Sequence, residues 1–226
     1  MWSLGVGVLS TFFALAITVV IVIYRPFTSK KKELPKQPSG PRAVLVVSDH
    51  QFEVPCVALA AATFKAHGMH VVLASQSGGD STPDKQSLQT KIAKEAGDRQ
   101  DPVWMEVLNM AHATVPLERI KAHSTTAIFI AGGPLMLNNL RHTDLSGSSP
   151  SPFCAYLRRL CVQVHAGGGV IGAVGHGVRG LPDEAELQGD RPGTRRFAGS
   201  LDSEVEQVTA RMVLARDDNE EPPASE

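Results

Sequence analysis

The sequence predicts an α/β fold: a parallel sheet with helices on both faces, preceded by one N-terminal transmembrane helix. Three observations carry that expectation. Short β-rich runs alternate with helical stretches between residues 42 and 212, and such alternation implies parallel strands joined by right-handed crossovers. The strand runs are continuously apolar, as strands covered on both faces are. The first 24 residues carry no charged side chain, which is the length a helix needs to cross a hydrocarbon core of about 30 Å.

Residues 1–25 are therefore read as a membrane anchor. A cleaved signal peptide would have a basic start, a shorter apolar core and a small-residue cleavage site. Here the apolar run ends in Ile23-Tyr24-Arg25-Pro26 with no Lys or Arg before it. Arg25, Lys30, Lys31, Lys32 and Lys36 all follow the span. Positive residues favour the cytoplasmic side, so a single-pass topology with a cytosolic globular part is expected. The absence of any Asn-x-Ser/Thr acceptor agrees. Residues 26–41, rich in Lys, Pro, Ser and Gly, read as a solvated linker. At the other end, residues 213–226 read as an acidic, disordered tail.

Within the body, Ala43–Ser48 reads as the first strand and Val54–His67 as a helix closed by Gly68. Val71–Ser75 is the second strand, followed by the loop Gln76-Ser77-Gly78-Gly79-Asp80. Asp101–Met110 reads as a helix and Leu117–Ala122 as a short turn of one. Thr126–Ala131 is the next strand, ending at Gly132-Gly133-Pro134. Phe153–His165 is an amphipathic helix, with Phe153, Tyr156, Leu157, Leu160, Cys161 and Val164 on one face. Gly167-Gly168-Gly169 then leads into the strand Val170–Val174. Ligands of such sheets bind at the carboxyl ends of the strands. The loops after Val47, Ala74, Ala131 and Val174 are thus the ones that matter.

Composition excludes several classes. Lys plus Arg is 22 and Asp plus Glu is 23, a net charge of −1, so no basic surplus argues for nucleic acid. Three cysteines without a CxxC exclude a disulfide framework and a cysteine-rich zinc module. Cys154 and Cys161 lie two turns apart on one helix, roughly 10 Å, too far for a disulfide. Cys161 is expected in the core and Cys154 at the surface. Gly167–Gly172 matches GxGxxG, but it follows a helix and opens a strand, the reverse of a dinucleotide site. His67 and His70 flank Gly68 and have no third ligand nearby, so they read as surface histidines. No metal or cofactor is indicated.

Ala173-Val174-Gly175-His176-Gly177 is the informative segment. A strand that turns sharply into a helix among small residues makes a nucleophile elbow, which exposes one side chain and aims backbone N–H groups at a developing oxyanion. The tip should be Ser or Cys. Here it is Gly175.

At these residues the chain resembles the DJ-1/PfpI superfamily, the class I glutamine amidotransferase-like fold, and most closely its glyoxalase III-like and chaperone-like branch. Arg42–Ser75 resembles the first βαβ unit, with Thr63–Gly68 as its helix end. Gly78–Leu88, with Pro83, Asp84 and Ser87, resembles the loop after the second strand. Ala127–Leu140 and Gly168–Leu181 resemble the family's third-strand and elbow segments. The resemblance implies a flavodoxin-like sheet over about residues 42–210. It also implies a homodimer. Active members use an elbow cysteine, which falls at Gly175, and pair it with a glutamate at the start of the first helix. That position is Cys56; Glu53, one turn earlier, matches a less central acidic position. Gly132 and Gly133 fall on the oxyanion side, with Gly177 in the elbow turn, and Pro134 after them has no N–H to give. Of the catalytic set only His176 is kept. The resemblance further implies a chain that stops before the family's last helix, leaving one sheet face under-covered.

Two functions follow. One is a membrane-tethered, catalytically inactive domain that acts by binding a ligand or partner. The alternative is a glyoxalase III- or deglycase-like enzyme acting on reactive aldehydes, with a displaced thiol at Cys56 and His176 lowering its pKa. Redox sensing or chaperone-like holding is a third role known in the branch.

Overall fold

A computed structural model describes residues 40–87, 102–133, 135–136, 140, 151–183, 185–187, 196–199 and 204–217. The compact unit begins at Gly40. The anchor over 1–25 and most of the linker lie outside the described residues, as do Pro134 and residues 218–226. Among the described residues no helix is long and apolar enough to cross a membrane.

Strands β1 (Arg42–Val46), β2 (His70–Ser75), β3 (Val115–Pro116), β4 (Ala127–Ile130), β5 (Val170–Val174) and β6 (Arg196–Gly199) form one sheet in the order β3-β2-β1-β4-β5-β6. Every pairing is parallel. Without the two-residue β3, the order is second, first, third, fourth, fifth: the flavodoxin-like arrangement. The order reverses at the β1/β4 pair, where Ala43 stands opposite Ala127 and Val46 opposite Ile130.

Burial explains the continuous apolar runs. Ala43, Leu45 and Val47 point into one core with Phe129, and Val44 and Val46 point into the other with Ile128 and Ile130. Helices α1 (Val54–Ala66), α2 (Pro102–Ala111) and α4 (Val205–Asp217) cover the first face. Phe64 of α1 meets Phe129 of β4 edge to face, with ring centroids 6.5 Å apart, and Lys65 pairs with Glu106 of α2. Helix α3 (Pro152–Ala166) covers the second face through Phe153, Leu157, Leu160, Cys161 and Val164. Its N-terminus is capped by Ser151, whose hydroxyl accepts from the Cys154 N–H at 3.0 Å.

Three expectations need correction. The chain does have a final helix: α4 runs to Asp217, so residues 213–217 are not tail. Val205, Val208, Met212 and Val213 recur at helical spacing, and all are buried against the sheet and α1. The acidic run after it masked that pattern. The sheet face expected to be under-covered is therefore covered, α4 packing on β5, β6 and α1. Cys154 is also buried, at 4 % exposure, rather than at the surface. The glycine run 167–169 does connect a helix to a strand, with Gly167 at the end of α3 and β5 starting at Val170.

Candidate functional site

The carboxyl edge of the sheet is assembled from three loops, and the first is pinned by the loop after β2. Beyond β1, Asp49 accepts hydrogen bonds from the Ser77 backbone N–H (3.1 Å) and hydroxyl (2.9 Å). The Ser48 hydroxyl donates to the His50 carbonyl at 2.6 Å. Phe52 then pairs with the loop after β2: its N–H donates to the Thr82 carbonyl, and the Asp84 N–H donates to the Phe52 carbonyl. Glu53 is the N-cap residue of α1, yet its side chain makes no cap bond. The Val54 N–H donates instead to the Ser87 hydroxyl at 3.4 Å, and Ser87 N–H donates to the Asp84 carboxylate at 2.9 Å. Pro55 follows in the first turn, where its missing N–H costs nothing. Pro83, Asp84 and Ser87 thus hold the start of α1 from a distance in sequence.

The second loop leaves β4 as Ala131, Gly132 and Gly133, all buried. Gly133 has φ +109°, and a Cβ there would lie 3.6 Å from the Glu53 Cγ. The Glu53 side chain therefore crosses from the β1 side to lie on the Gly133 backbone. That contact spans the point where the strand order reverses, the crevice in which ligands of such sheets bind.

The third loop is the elbow. Val174 is extended, and Gly175 turns at φ +50° into a 3₁₀ helix over Gly175–Gly180. The left-handed φ at the tip is what an elbow requires and what glycine supplies without strain. Gly177 is wedged against the end of β4: a Cβ there would stand 2.5 Å from the Ile130 carbonyl oxygen and 2.8 Å from that of Ala131. So the elbow is folded tightly over β4, beside the Gly132-Gly133 loop. Gly175 is half-buried, and His176 is exposed on the outside of the turn.

Cys56 lies in the first turn of α1 at 5 % exposure, in the apolar cluster that also holds Ala131 and Val174. Its side chain therefore faces the core. Sequence reasoning ranked Glu53 below Cys56; the structure gives Glu53, not the thiol, the place on the Gly133 loop. Among the described residues no group of three His, Cys, Asp or Glu side chains is arranged to hold a metal.

No family model matches the chain, and no curated protein does. Solved structures match over nearly their whole length. Rapid Encystment Protein 24 kDa of Francisella tularensis superposes with a TM-score of 0.55 at 13% identity, covering 78% of this chain and 99% of that one. Glyoxalase III of Candida albicans gives 0.54 at 13% identity, covering 77% and 97%. A ThiJ/PfpI domain protein of Brachyspira murdochii gives 0.51 at 11% identity, covering 79% and 99%. The chain has the DJ-1/ThiJ/PfpI fold. At these identities the likeness carries the DJ-1/PfpI scaffold and leaves the chemistry to be argued from the residues at the edge.

Proposed function

We propose that the chain is a membrane-tethered DJ-1/PfpI-like domain that acts by binding, its elbow chemistry lost with the thiol. The carrying observation is Gly175: the turn has the φ of an elbow, and the residue at its tip has no atom that can attack. Covalent catalysis needs a nucleophile within reach of its base. The one thiol near the edge, Cys56, is directed into an apolar cluster while His176 is exposed. What remains at the carboxyl edge is the Glu53 side chain lying on the Gly133 loop beside the elbow turn, a place suited to holding a small polar ligand. The tether reading is supported by the uncharged run 1–24 and the cations that follow it, with the domain on the cytosolic side.

The test is methylglyoxal turnover by the full chain in detergent, as wild type, Cys56→Ser and Gly175→Cys. Inactive wild type with activity gained in Gly175→Cys is the expected result. Wild-type activity that Cys56→Ser abolishes would overturn the binding role and establish a displaced thiol.

A further inference from the structure

The turn that leaves the elbow is held in place by long charged side chains. The loops after β1 and β2, by contrast, are joined through backbone and hydroxyl groups. After the 3₁₀ helix, Leu181 and Pro182 are buried, while Asp183 and Glu186 are exposed. The turn closes on itself: the Asp183 N–H donates to the Glu186 carboxylate at 2.7 Å. The Glu186 and Leu187 N–H groups donate back to the Asp183 carbonyl at 2.9 and 3.3 Å, a capping box around a single turn. Among the described residues, its polar ties to other elements come from two arginines. Arg158 of α3 donates to the Leu181 carbonyl through Nε at 3.3 Å and Nη2 at 3.2 Å. The same Nη2 donates to the Asp183 carboxylate at 3.3 Å, and Nη1 lies 3.5 Å from that of Glu186. Arg196 of β6 donates to the Pro182 carbonyl at 3.0 Å. One planar guanidinium thus holds a carbonyl and two carboxylates at once, which a fork of fixed donors can do.

Two things lie behind that guanidinium. The first is the elbow's exit. The Leu181 N–H donates to the Val178 carbonyl at 3.1 Å, and Gly180 packs so closely that a Cβ there would stand 3.0 Å from Leu157 Cδ2 and 3.1 Å from Ile130 Cδ1. Movement of Leu181 is therefore passed to Val178–Gly180. The second is Cys154, one turn before Arg158 on α3 and 4 % exposed. Cys154 shares its apolar cluster with Leu181, and Leu187 packs against that cluster. Burial raises its thiol pKa; beyond that, the charge of Arg158 lowers it and that of Glu186 raises it, so both charges lie near the thiol. A segment whose polar ties run through partly solvated side chains, with few buried apolar groups, is of the kind that opens locally before the fold does.

We propose that the turn after the elbow is a strap latched by Arg158. Release of the guanidinium frees Leu181, Asp183 and Glu186 together, lets the elbow's exit lift from α3 and uncovers Cys154, while the sheet stays closed. The strap gives the carboxyl edge a moving part on the side away from Glu53. It acts whatever the crevice holds, so it does not depend on the binding role proposed above.

The test uses the full chain in detergent under native conditions, with two readouts. One is the rate at which N-ethylmaleimide labels Cys154, with Cys56 on the other sheet face as the internal reference. The other is hydrogen exchange of the Leu181, Glu186 and Leu187 amides, with the amides of β5 as reference. Arg158→Gln should speed both strap readouts by about tenfold, the loss of one charge-assisted hydrogen bond, and leave both references unchanged. Asp183→Asn with Glu186→Gln keeps the bond to the Leu181 carbonyl and should speed them by about threefold. Arg158→Lys keeps the charge without the fork and should fall between wild type and Arg158→Gln. Should Arg158→Gln fail to fold, the double substitution, at exposed positions, decides alone. The strap is overturned by folded variants with no acceleration, by Cys56 and β5 accelerating in step with Cys154, or by only one of the two strap readouts moving.

Discussion

The two edges of the sheet are built from the same strands by opposite means. At the carboxyl edge the loops are locked to one another: Asp49 to Ser77, Phe52 to Asp84, Val54 to Ser87, Glu53 against Gly133, and Gly177 against Ile130. At the amino edge the turns are short and their exposed side chains, such as Lys121 and His123, bear little on packing. The carboxyl edge thus keeps the shape of a reactive site around a tip with no reactive atom. Shape and chemistry are separable there because the shape rests on backbone contacts and packed glycines, whereas a nucleophile needs a side chain at the tip, where Gly175 has none.

The strongest way to break this contrast is to attack the shape. In Gly177→Ala the added Cβ would meet two backbone carbonyls at 2.5 and 2.8 Å, and backbone cannot swing aside as a flexible side chain can. The expected loss is about 3 kcal/mol or more, the upper range of overpacking, read as a lowered urea midpoint. His176→Ala next door, at an exposed position, should stay within about 0.5 kcal/mol of wild type. Similar small losses for both would mean that the elbow is not held against β4.

A milder change restores the atom rather than damaging the shape. Gly175→Cys places an L-residue at φ +50°, a cost of about 1 kcal/mol, so the fold should stand. The native thiols differ from it in access. Cys56, Cys154 and Cys161 are buried at 5, 4 and 0 % exposure. Burial raises the Cys154 thiol above its usual range and, with the nearby Cys154 adding to it, pushes Cys161 up to about 12. Titration of the folded wild type with a disulfide reagent at pH 8 should find no fast thiol, and Gly175→Cys should show one. A fast thiol in wild type lost in Cys56→Ser would reverse the contrast between tip and core.

How much of this was legible follows from the same contrast. Strands β1, β2, β4 and β5 were readable because residues covered on both faces form unbroken apolar runs, and α3 because its core face recurs at helical spacing. Strand β3 is two residues with Pro116 at the sheet's edge, and β6 is four residues, Arg196–Gly199, three of them at least partly exposed. Neither has a pattern of its own; their pairing is imposed by neighbours. The elbow could be found from its glycines, since φ and close approach select that residue. Glu53 could not be placed on Gly133, because that contact joins positions 80 apart and is set only once β1 and β4 pair.

The smallest effect lies at the amino edge and tests whether its cations act together. His70 has its pKa lowered, first by burial and then by the charges of Arg42 and Lys65. A histidine whose folded pKa lies below its unfolded value of about 6.5 is protonated first in the unfolded chain. As pH falls through 6.5 the unfolded state takes up the proton, so this group removes stability, and the loss levels off once pH passes below the folded pKa. The urea midpoint should therefore decline less between pH 7.5 and 5.5 in His70→Gln than in wild type. Because burial is the larger cause, most of that difference should survive in 0.5 M salt (about three times the ionic strength at which the screening length is 8 Å). Only the part due to Arg42 and Lys65 should disappear. A difference abolished by salt would make the charges, not burial, the dominant cause, and would mark this edge as more strongly cationic than its packing implies.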